Sequence, residues 1–244
     1  MKICAAQTKS VKGDVERNIE NHKKVIGLAA FDGADMVIFP ELSLTGYEPI
    51  LAKELATDQD DARFDDFQKI SDAKLIIIGA GMPTKSRSGV QISLLIFQPH
   101  KPRQIYSKQH LHEDEYPYFI NGDSQVFLTL NDSRIAPAIC YESLLPEHSE
   151  NAFKSGAEIY LASVAKSAGG VEKAFNHFPE IARKYSMNVM MSNCVGECDN
   201  FQSAGKTSVW NSKGELVGQL NDRDEGILIF DADTEEIIER KIAE

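Results

Sequence analysis

Three reactive side chains in this sequence each follow a short apolar run that is typical of a buried strand. Glu41 follows MVIFP, Lys108 ends QIYSK, and Cys140 ends RIAPAIC. A carboxylate, an ammonium and a thiol are the groups that serve as a general base, an oxyanion stabiliser and a covalent nucleophile. Because strand ends form the site in α/β sheets, we expect these three side chains to meet.

Each of the three residues also has a plain structural interpretation. A cysteine that ends an apolar strand is often a small buried hydrophobic residue, Glu41 stands where a loop begins, and Lys108 fits a surface lysine. What favours chemistry at Cys140 is the helix-like segment LPEHSENAFKSG that follows it. The positive end of a helix and its free backbone N–H groups favour a thiolate and an oxyanion. Burial of Glu41 at a strand end would raise its pKa, which suits a general base.

Further polar residues are candidates for contacts with a substrate. Glu115 begins the aromatic run EYPYF, and Glu142 stands in CYES. Glu142 either touches the site or accepts backbone N–H groups where a helix begins. The segment AKSAGGVEKAFNHF, which contains Ser167 and His177, should border the thiol. Alternatively, His177 is a structural histidine with satisfied hydrogen bonds. No lysine or arginine stands out as a receptor for a substrate carboxylate.

The composition limits the class of protein. The chain has 244 residues, 42% of them hydrophobic, and a formal net charge of −11. Nucleic-acid binding needs a basic face, so we expect no nucleic-acid partner. No run approaches the roughly 20 apolar residues of a membrane span, and the start lacks a signal-peptide pattern. A chain of this size with four cysteines needs no disulfide framework, which fits a reducing cytoplasm. Together with the missing apolar run, this predicts a soluble, cytoplasmic protein that does not act on membranes.

The elements that must position these residues alternate between short β-rich runs and longer helical patterns. Strands are predicted at 2–7, 36–40, 75–82, 89–98, 104–108, 126–130, 134–140, 158–165, 188–194 and 226–230, with a hairpin at 206–220. Helices are predicted at 15–31, 145–156 and 171–186, with a short acidic helix at the C-terminus. With no linker and no repeat, the pattern predicts a single α/β domain over residues 1–244.

These segments resemble the nitrilase superfamily of carbon–nitrogen hydrolases. The similar pieces are FPELSLTGY around Glu41, YSKQHL around Lys108, AICYESLLPE around Cys140, EYPYFINGD from Glu115, and SNCVG at 192–196. Lys108 follows Glu41 by 67 residues, and Cys140 follows Lys108 by 32. The resemblance runs from KICAAQ to GILIF, which is close to the whole chain.

The resemblance implies a fold, a set of roles and an assembly. Members of the superfamily fold as a four-layer α-β-β-α sandwich and usually form homodimers through helices. In this chain Cys140 would be the nucleophile and Glu41 its general base. Lys108 and the backbone N–H of Tyr141 would stabilise the oxyanion, and Glu115 would position the substrate, with no metal and no cofactor. The remaining candidates for substrate or oxyanion contacts are Tyr141, Glu142, Tyr47, Ser167 and His177.

The resemblance also implies a reaction, with alternatives. The leading interpretation is a thiol-dependent hydrolase of a small aliphatic amide, an ω-amide or a carbamoyl compound, acting through a thioester on Cys140. Nitrile hydrolysis is an alternative, although true nitrilases carry Cys-Trp-Glu where this chain has Cys-Tyr-Glu. A weakly active binding module that keeps the fold is a third interpretation. A module that only binds would not need all of Glu41, Lys108 and Cys140, so the presence of the complete set argues against this interpretation.

Overall fold

The computed structural model describes residues 1–242, which contain fifteen strands and five α-helices. The strands are β1 (Lys2–Gln7), β2 (Met36–Ile38), β3 (Ile77–Lys85), β4 (Val90–Phe97), β5 (Gln104–Ser107), β6 (Leu128–Leu130), β7 (Ser133–Ile139), β8 (Ile159–Val164), β9 (Asn188–Asn193), β10 (Val195–Cys198), β11 (Phe201–Ala204), β12 (Ser208–Trp210), β13 (Leu216–Gln219), β14 (Gly226–Asp231) and β15 (Ile237–Lys241). The α-helices are α1 (Val15–Phe31), α2 (Ala52–Leu55), α3 (Asp65–Lys74), α4 (Pro146–Lys154) and α5 (Ala168–Tyr185).

Two large sheets hold most of the strands. One has seven strands in the order β15-β14-β1-β2-β3-β4-β5, and the other has six in the order β13-β12-β9-β8-β7-β6. Strands β1, β2 and β3 are parallel, as are β7, β8 and β9. A small hairpin of β10 and β11 stands apart from both sheets.

The alternation of apolar residues along the central strands explains the stacking of the layers. In β8, Ile159 and Leu161 belong to the apolar core that is shared by the two sheets, whereas Tyr160 and Ala162 belong to the core under α5. Side chains of a strand point alternately to opposite faces, so each sheet contributes to two cores. A third core lies between the first sheet and helices α1 and α3. The predicted four-layer α-β-β-α sandwich is therefore confirmed.

Hydrogen bonds between the two sheets tie them together near the strand ends. Ser163 of β8 donates to the carbonyl of Phe39, just beyond β2, at 2.8 Å. Ser192 of β9 donates to the carbonyl of Ala6 in β1 at 2.6 Å. The carboxyl ends of β1 and β2 are therefore held against those of β8 and β9, which is where the chain places its reactive side chains.

Two predictions about elements are wrong or incomplete. Where an acidic C-terminal helix was predicted, residues Ile237–Lys241 instead pair with β14 as an edge strand. Helix α5 begins at Ala168, earlier than predicted, so Gly169 and Gly170 lie in its first turn instead of in a loop. None of the helices within residues 1–242 is long and apolar enough to cross a membrane.

Candidate active site

Glu41 lies in a tight turn that follows β2. The next residue, Leu42, has a left-handed φ of 51°, and the turn packs directly against Gly81 of β3. A Cβ atom at Gly81 would lie 2.3 Å from the Leu42 nitrogen and 2.6 Å from the Pro40 oxygen. Glycine therefore permits this close approach, which holds the buried Glu41 carboxylate at the end of the strand.

Lys108 follows β5 directly, and its side chain is fully buried. Its backbone is held on both sides, because its N–H donates to Ile92 at 2.8 Å and its carbonyl accepts from Gly122 at 2.7 Å. The ammonium donates to Oε1 of Glu41 at 2.8 Å and to Oε1 of Glu115 at 2.7 Å. One lysine therefore joins two carboxylates.

Glu115 ends a short 3₁₀ helix, and each of its carboxylate oxygens has its own partners. Besides the Lys108 ammonium, Oε1 accepts from the Tyr47 hydroxyl at 2.9 Å. Oε2 accepts from the backbone N–H of His112 at 2.7 Å. Tyr47 and His112 thereby hold the carboxylate against the lysine.

Burial and mutual attraction set the charges of this group. Burial raises the pKa of Glu41, and the negative charge of Glu115 adds to this effect, while Lys108 opposes it. Burial lowers the pKa of Lys108, but the two carboxylates more than offset this and raise it above its ordinary value. Lys108 is thus a fixed cation. Oε2 of Glu41 is buried and has no hydrogen-bond partner within residues 1–242.

Cys140 follows β7 with a left-handed φ of 47° and begins a 3₁₀ helix of five residues. Its Sγ contacts the carbonyl of Ala165 at 3.7 Å. Burial raises the pKa of the thiol to about 12, and the charge of Glu41 contributes, whereas Lys166 and Lys108 lower it. The thiol is therefore protonated at neutral pH, and forming the thiolate requires a base.

A cavity of about 630 Å³ opens beside the thiol. Five of the residues predicted from the sequence line it: Tyr47, Glu115, Cys140, Tyr141 and Ser167. Glu41 and Lys108 are fully buried and do not belong to this lining. The Lys108 ammonium is hydrogen-bonded to Glu115 of the lining, and the charge of Glu41 raises the pKa of the Cys140 thiol. Within residues 1–242, no three His, Cys, Asp or Glu side chains are grouped as metal ligands.

Comparison with known proteins assigns the family. The sequence profile of carbon–nitrogen hydrolases matches residues 2–242. This chain belongs to the carbon–nitrogen hydrolase family. The predicted membership of the nitrilase superfamily is thereby confirmed.

Curated relatives of this carbon–nitrogen hydrolase differ in length and activity. A glutamine-dependent NAD(+) synthetase of Aquifex aeolicus is 26% identical over 252 residues, covering 99% of this chain and 44% of that protein. The chain therefore spans less than half the length of that relative. A 2-oxoglutaramate amidase of Bacillus subtilis is 25% identical over 213 residues, covering 84% of this chain and 81% of the relative.

A solved structure shares the fold. The NitN amidase of Nesterenkonia sp. AN1 superimposes with a TM-score of 0.87 and 21% sequence identity, over 95% of this chain and 92% of that one. A mutant of the Nesterenkonia amidase carries the acetamide moiety of fluoroacetamide covalently on its active-site cysteine. Another mutant of it is in complex with butyramide.

Two of the predicted contact residues of the hydrolase lie outside the cavity lining. Glu142 is fully buried, and its carboxylate accepts from the backbone N–H of Ile139 at 2.7 Å and of Gln109 at 2.6 Å. It is the structural carboxylate that the sequence left as an alternative. His177 lies on α5, half-buried beside Phe178, and burial lowers its pKa.

Sequence reasoning missed Lys166. It stands two residues after β8, is 5% exposed, and places its ammonium 3.9 Å from Sγ of Cys140. The rule that singled out Glu41, a polar residue just beyond a buried strand, applies equally to Lys166. The stretch LASVAK therefore carries the same signal.

Two further cysteines lie behind one wall of the cavity. Sγ of Cys194 is 3.6 Å from Sγ of Cys198, and both thiols are buried in a small apolar cluster with Ala165, Tyr47 and Phe201. They belong to the packing that supports this wall.

Proposed function

We propose that this carbon–nitrogen hydrolase is an amidase that hydrolyses small carboxamides through a thioester on Cys140. The observation that carries the proposal is Oε2 of Glu41, a buried oxygen with no hydrogen-bond partner within residues 1–242. Unpaired buried polar atoms are costly, and they concentrate at functional sites. Because Lys108 holds Oε1, the other oxygen is available for the proton of the Cys140 thiol.

The first half of the proposed reaction makes the acyl-enzyme. Glu41 takes the thiol proton while Sγ of Cys140 bonds to the amide carbon and the carbonyl electron pair moves to oxygen. Lys108 and the backbone N–H of Tyr141 stabilise this oxyanion. When the oxyanion collapses, the C–N bond breaks, and the proton held by Glu41 goes to the leaving ammonia.

The second half releases the acid. Glu41 takes a proton from water, whose oxygen attacks the thioester carbon. The C–S bond then breaks, and the proton returns to Sγ of Cys140. Glu115 keeps its place in the wall of the cavity, where it orients both the Lys108 ammonium and the substrate.

Ammonia release from a panel of small amides, ω-amides, carbamoyl compounds and nitriles tests this proposal. We expect wild-type protein to release ammonia from amides, and Cys140→Ala to release none, because this variant lacks the thiol that would carry the acyl group. Glu41→Gln should lower kcat/KM by at least about a hundredfold, since general-base catalysis contributes on the order of 10² to 10⁴.

Other outcomes would favour the alternatives. Turnover of nitriles but not of the matching amides would favour a nitrilase. No turnover by folded wild-type protein, with a partner bound equally well by Cys140→Ala, would favour a binding module. Near-normal turnover by Glu41→Gln would contradict the general-base role.

We also propose that the chain acts in the cytoplasm as a single-domain homodimer that pairs through α4 and α5. In support, Phe153 of α4 stacks on Tyr185 of α5 at 4.9 Å, yet remains 47% exposed. Light scattering should give twice the chain mass of 27.1 kDa for wild type. Phe153→Asp places a charge in this apolar face and should give the monomer mass, whereas an unchanged mass would contradict this interface.

A further inference from the structure

Lys166 is a second buried cation beside the nucleophile, and the proposed amidase mechanism gives it no task. We propose that Lys166 binds a carboxylate of the substrate, so that the enzyme prefers amides of short dicarboxylic acids over neutral amides. The inference rests on the proposed function, because it concerns the substrate of that same site.

The first support is a difference between the hydrogen-bond partners of the two buried lysines. Lys108 has two carboxylates within hydrogen-bonding distance. Lys166 is also almost fully buried, yet within residues 1–242 its ammonium donates only to the carbonyl of Cys140 at 3.5 Å and to Sγ at 3.9 Å. Good N–H···O hydrogen bonds are about 2.7 to 3.2 Å long. A buried ammonium without a carboxylate is costly, so its retention here indicates that an anion completes it.

The second support is the shape and charge of the wall around Lys166. Lys166 and Lys173 both line the cavity, and the N-terminal turn of the 18-residue helix α5 lies between them. A Cβ atom at Gly170 would lie 3.2 Å from Cβ of Lys166, so this glycine leaves room for the lysine stem along the helix. A Cβ at Gly169 would meet no atom of residues 1–242 within 4 Å, so the wall is open there.

The acidic residues of the cavity lie on other segments and already have partners. Glu115 binds the Lys108 ammonium, and Asp114 lies 2.6 Å from Nδ1 of His112. The wall formed by Lys166 and the start of α5 is therefore positive. A carboxylate bound there gains a charge-assisted hydrogen bond, which is stronger than one between neutral groups.

The distances limit the length of the substrate. Lys166 Nζ lies 3.9 Å from the nucleophilic sulfur, so a carboxylate oxygen hydrogen-bonded to it stands within about 7 Å of that sulfur. A chain of two or three CH₂ groups between the amide carbon and the carboxylate fits this span. Succinamate, the half-amide of succinic acid, is therefore a suitable test compound, and succinamide is its uncharged counterpart of equal size.

Binding to Cys140→Ala tests the inference without turnover. By calorimetry we expect this variant to bind succinamate at least about tenfold more tightly than succinamide, since hydrogen bonds to charged groups correspond to roughly tenfold to a hundredfold in affinity. Adding Lys166→Gln should abolish the difference, and adding Lys166→Arg should restore part of it. Equal binding of the two compounds by Cys140→Ala would overturn the inference.

Turnover separates this inference from the proposed function. We expect the ratio of kcat/KM for succinamate to kcat/KM for succinamide to be at least about tenfold lower in Lys166→Gln than in the wild-type protein. Lys213→Gln, in the exposed turn after β12, should keep the wild-type ratio. If Lys166→Gln lowers both values equally, the lysine acts on the thiol and the carboxylate receptor is wrong. If wild type hydrolyses no amide at all, the proposed function fails, and the binding result alone decides on the anion site.

Discussion

Left-handed backbone at single residues aims the reactive groups. Cys140 has a φ of 47°, and Leu42, next to Glu41, has a φ of 51°. Such conformations cost a non-glycine residue on the order of 1 kcal/mol or more, and they concentrate at functional sites. Here each left-handed residue turns the backbone sharply just after a strand ends, at Leu42 after β2 and at Cys140 after β7. The surrounding strands hold both turns in place.

Gly81 tests how strictly the Glu41 turn must be placed. Gly81→Ala puts a methyl group within 2.3 Å of the Leu42 nitrogen, so the turn must move away from β3. A misplacement of about 1 Å can cost about a hundredfold in rate, so we expect kcat/KM to fall by about tenfold to a hundredfold. Steady-state kinetics measure this loss.

Gly27→Ala is the matched control for this substitution. Gly27 lies inside α1, and a Cβ there meets no atom of the described part of the chain within 4 Å. It should leave kcat/KM unchanged and raise the free energy of unfolding by up to about 1 kcal/mol, as is typical of alanine replacing glycine in a helix. Equal activity of both variants would show that the turn tolerates displacement.

Between elements, the Glu142 carboxylate connects the strand that carries Lys108 with the strand that carries Cys140. It accepts from the N–H of Ile139 at the end of β7 and from that of Gln109 beyond β5. The Tyr106 hydroxyl of β5 also donates to it. One buried carboxylate thereby fixes the spacing of two strand ends from opposite sheets.

Glu142→Gln tests this connection. The amide has one oxygen in place of two, so its NH₂ group must face a backbone N–H that needs an acceptor. We expect urea unfolding to show a loss of about 2 to 4 kcal/mol, as is typical of a buried charged acceptor left unmatched. Glu147→Gln, on the exposed side of α4, should change the free energy of unfolding by less than about 1 kcal/mol. Similar losses for the two variants would contradict the structural role of Glu142.

The elements also show which parts of the fold the sequence could predict. The central strands were predictable because both of their faces are buried and they appear as continuous apolar runs. The C-terminal strand was not, because the stretch TEEIIERK is rich in charged residues of high helix propensity, whereas its residues Ile237–Lys241 pair with β14 as an edge strand. Helix α3 was missed because its sequence DDFQKISDAK buries little besides Phe67.

The same limit applies to the candidate site. Glu41, Lys108 and Cys140 each directly follow an apolar run, and that pattern identified them. The contact partners of Lys166 come from a distant segment, so only the three-dimensional structure shows that its ammonium donates to Cys140 and to no carboxylate within residues 1–242. Glu142 was ambiguous for the same reason, since its partners at Gln109 and Tyr106 lie over 30 residues away.

For the whole molecule, a buried histidine couples folding to pH. His22 of α1 is 2% exposed, stacks on Phe39, and has ring nitrogens near Asn18 O and Ser43 Oγ. Burial lowers its pKa to about 4, although the Asn18 carbonyl opposes this. The residue therefore remains neutral in the folded protein at pH values where the unfolded chain protonates it.

This shift predicts acid sensitivity of the fold. Above about pH 6.5, His22 is neutral in both states and contributes no pH dependence. Between about pH 6.5 and 4 the unfolded chain binds more protons than the folded protein. The free energy of unfolding therefore decreases as the pH is lowered, and His22 accounts for roughly 3 kcal/mol of this decrease. Urea unfolding at pH 7 and pH 4.5 should show a smaller fall for His22→Gln, which keeps a donor and an acceptor but does not titrate. An equal fall in the two proteins would mean that other groups cause the acid sensitivity.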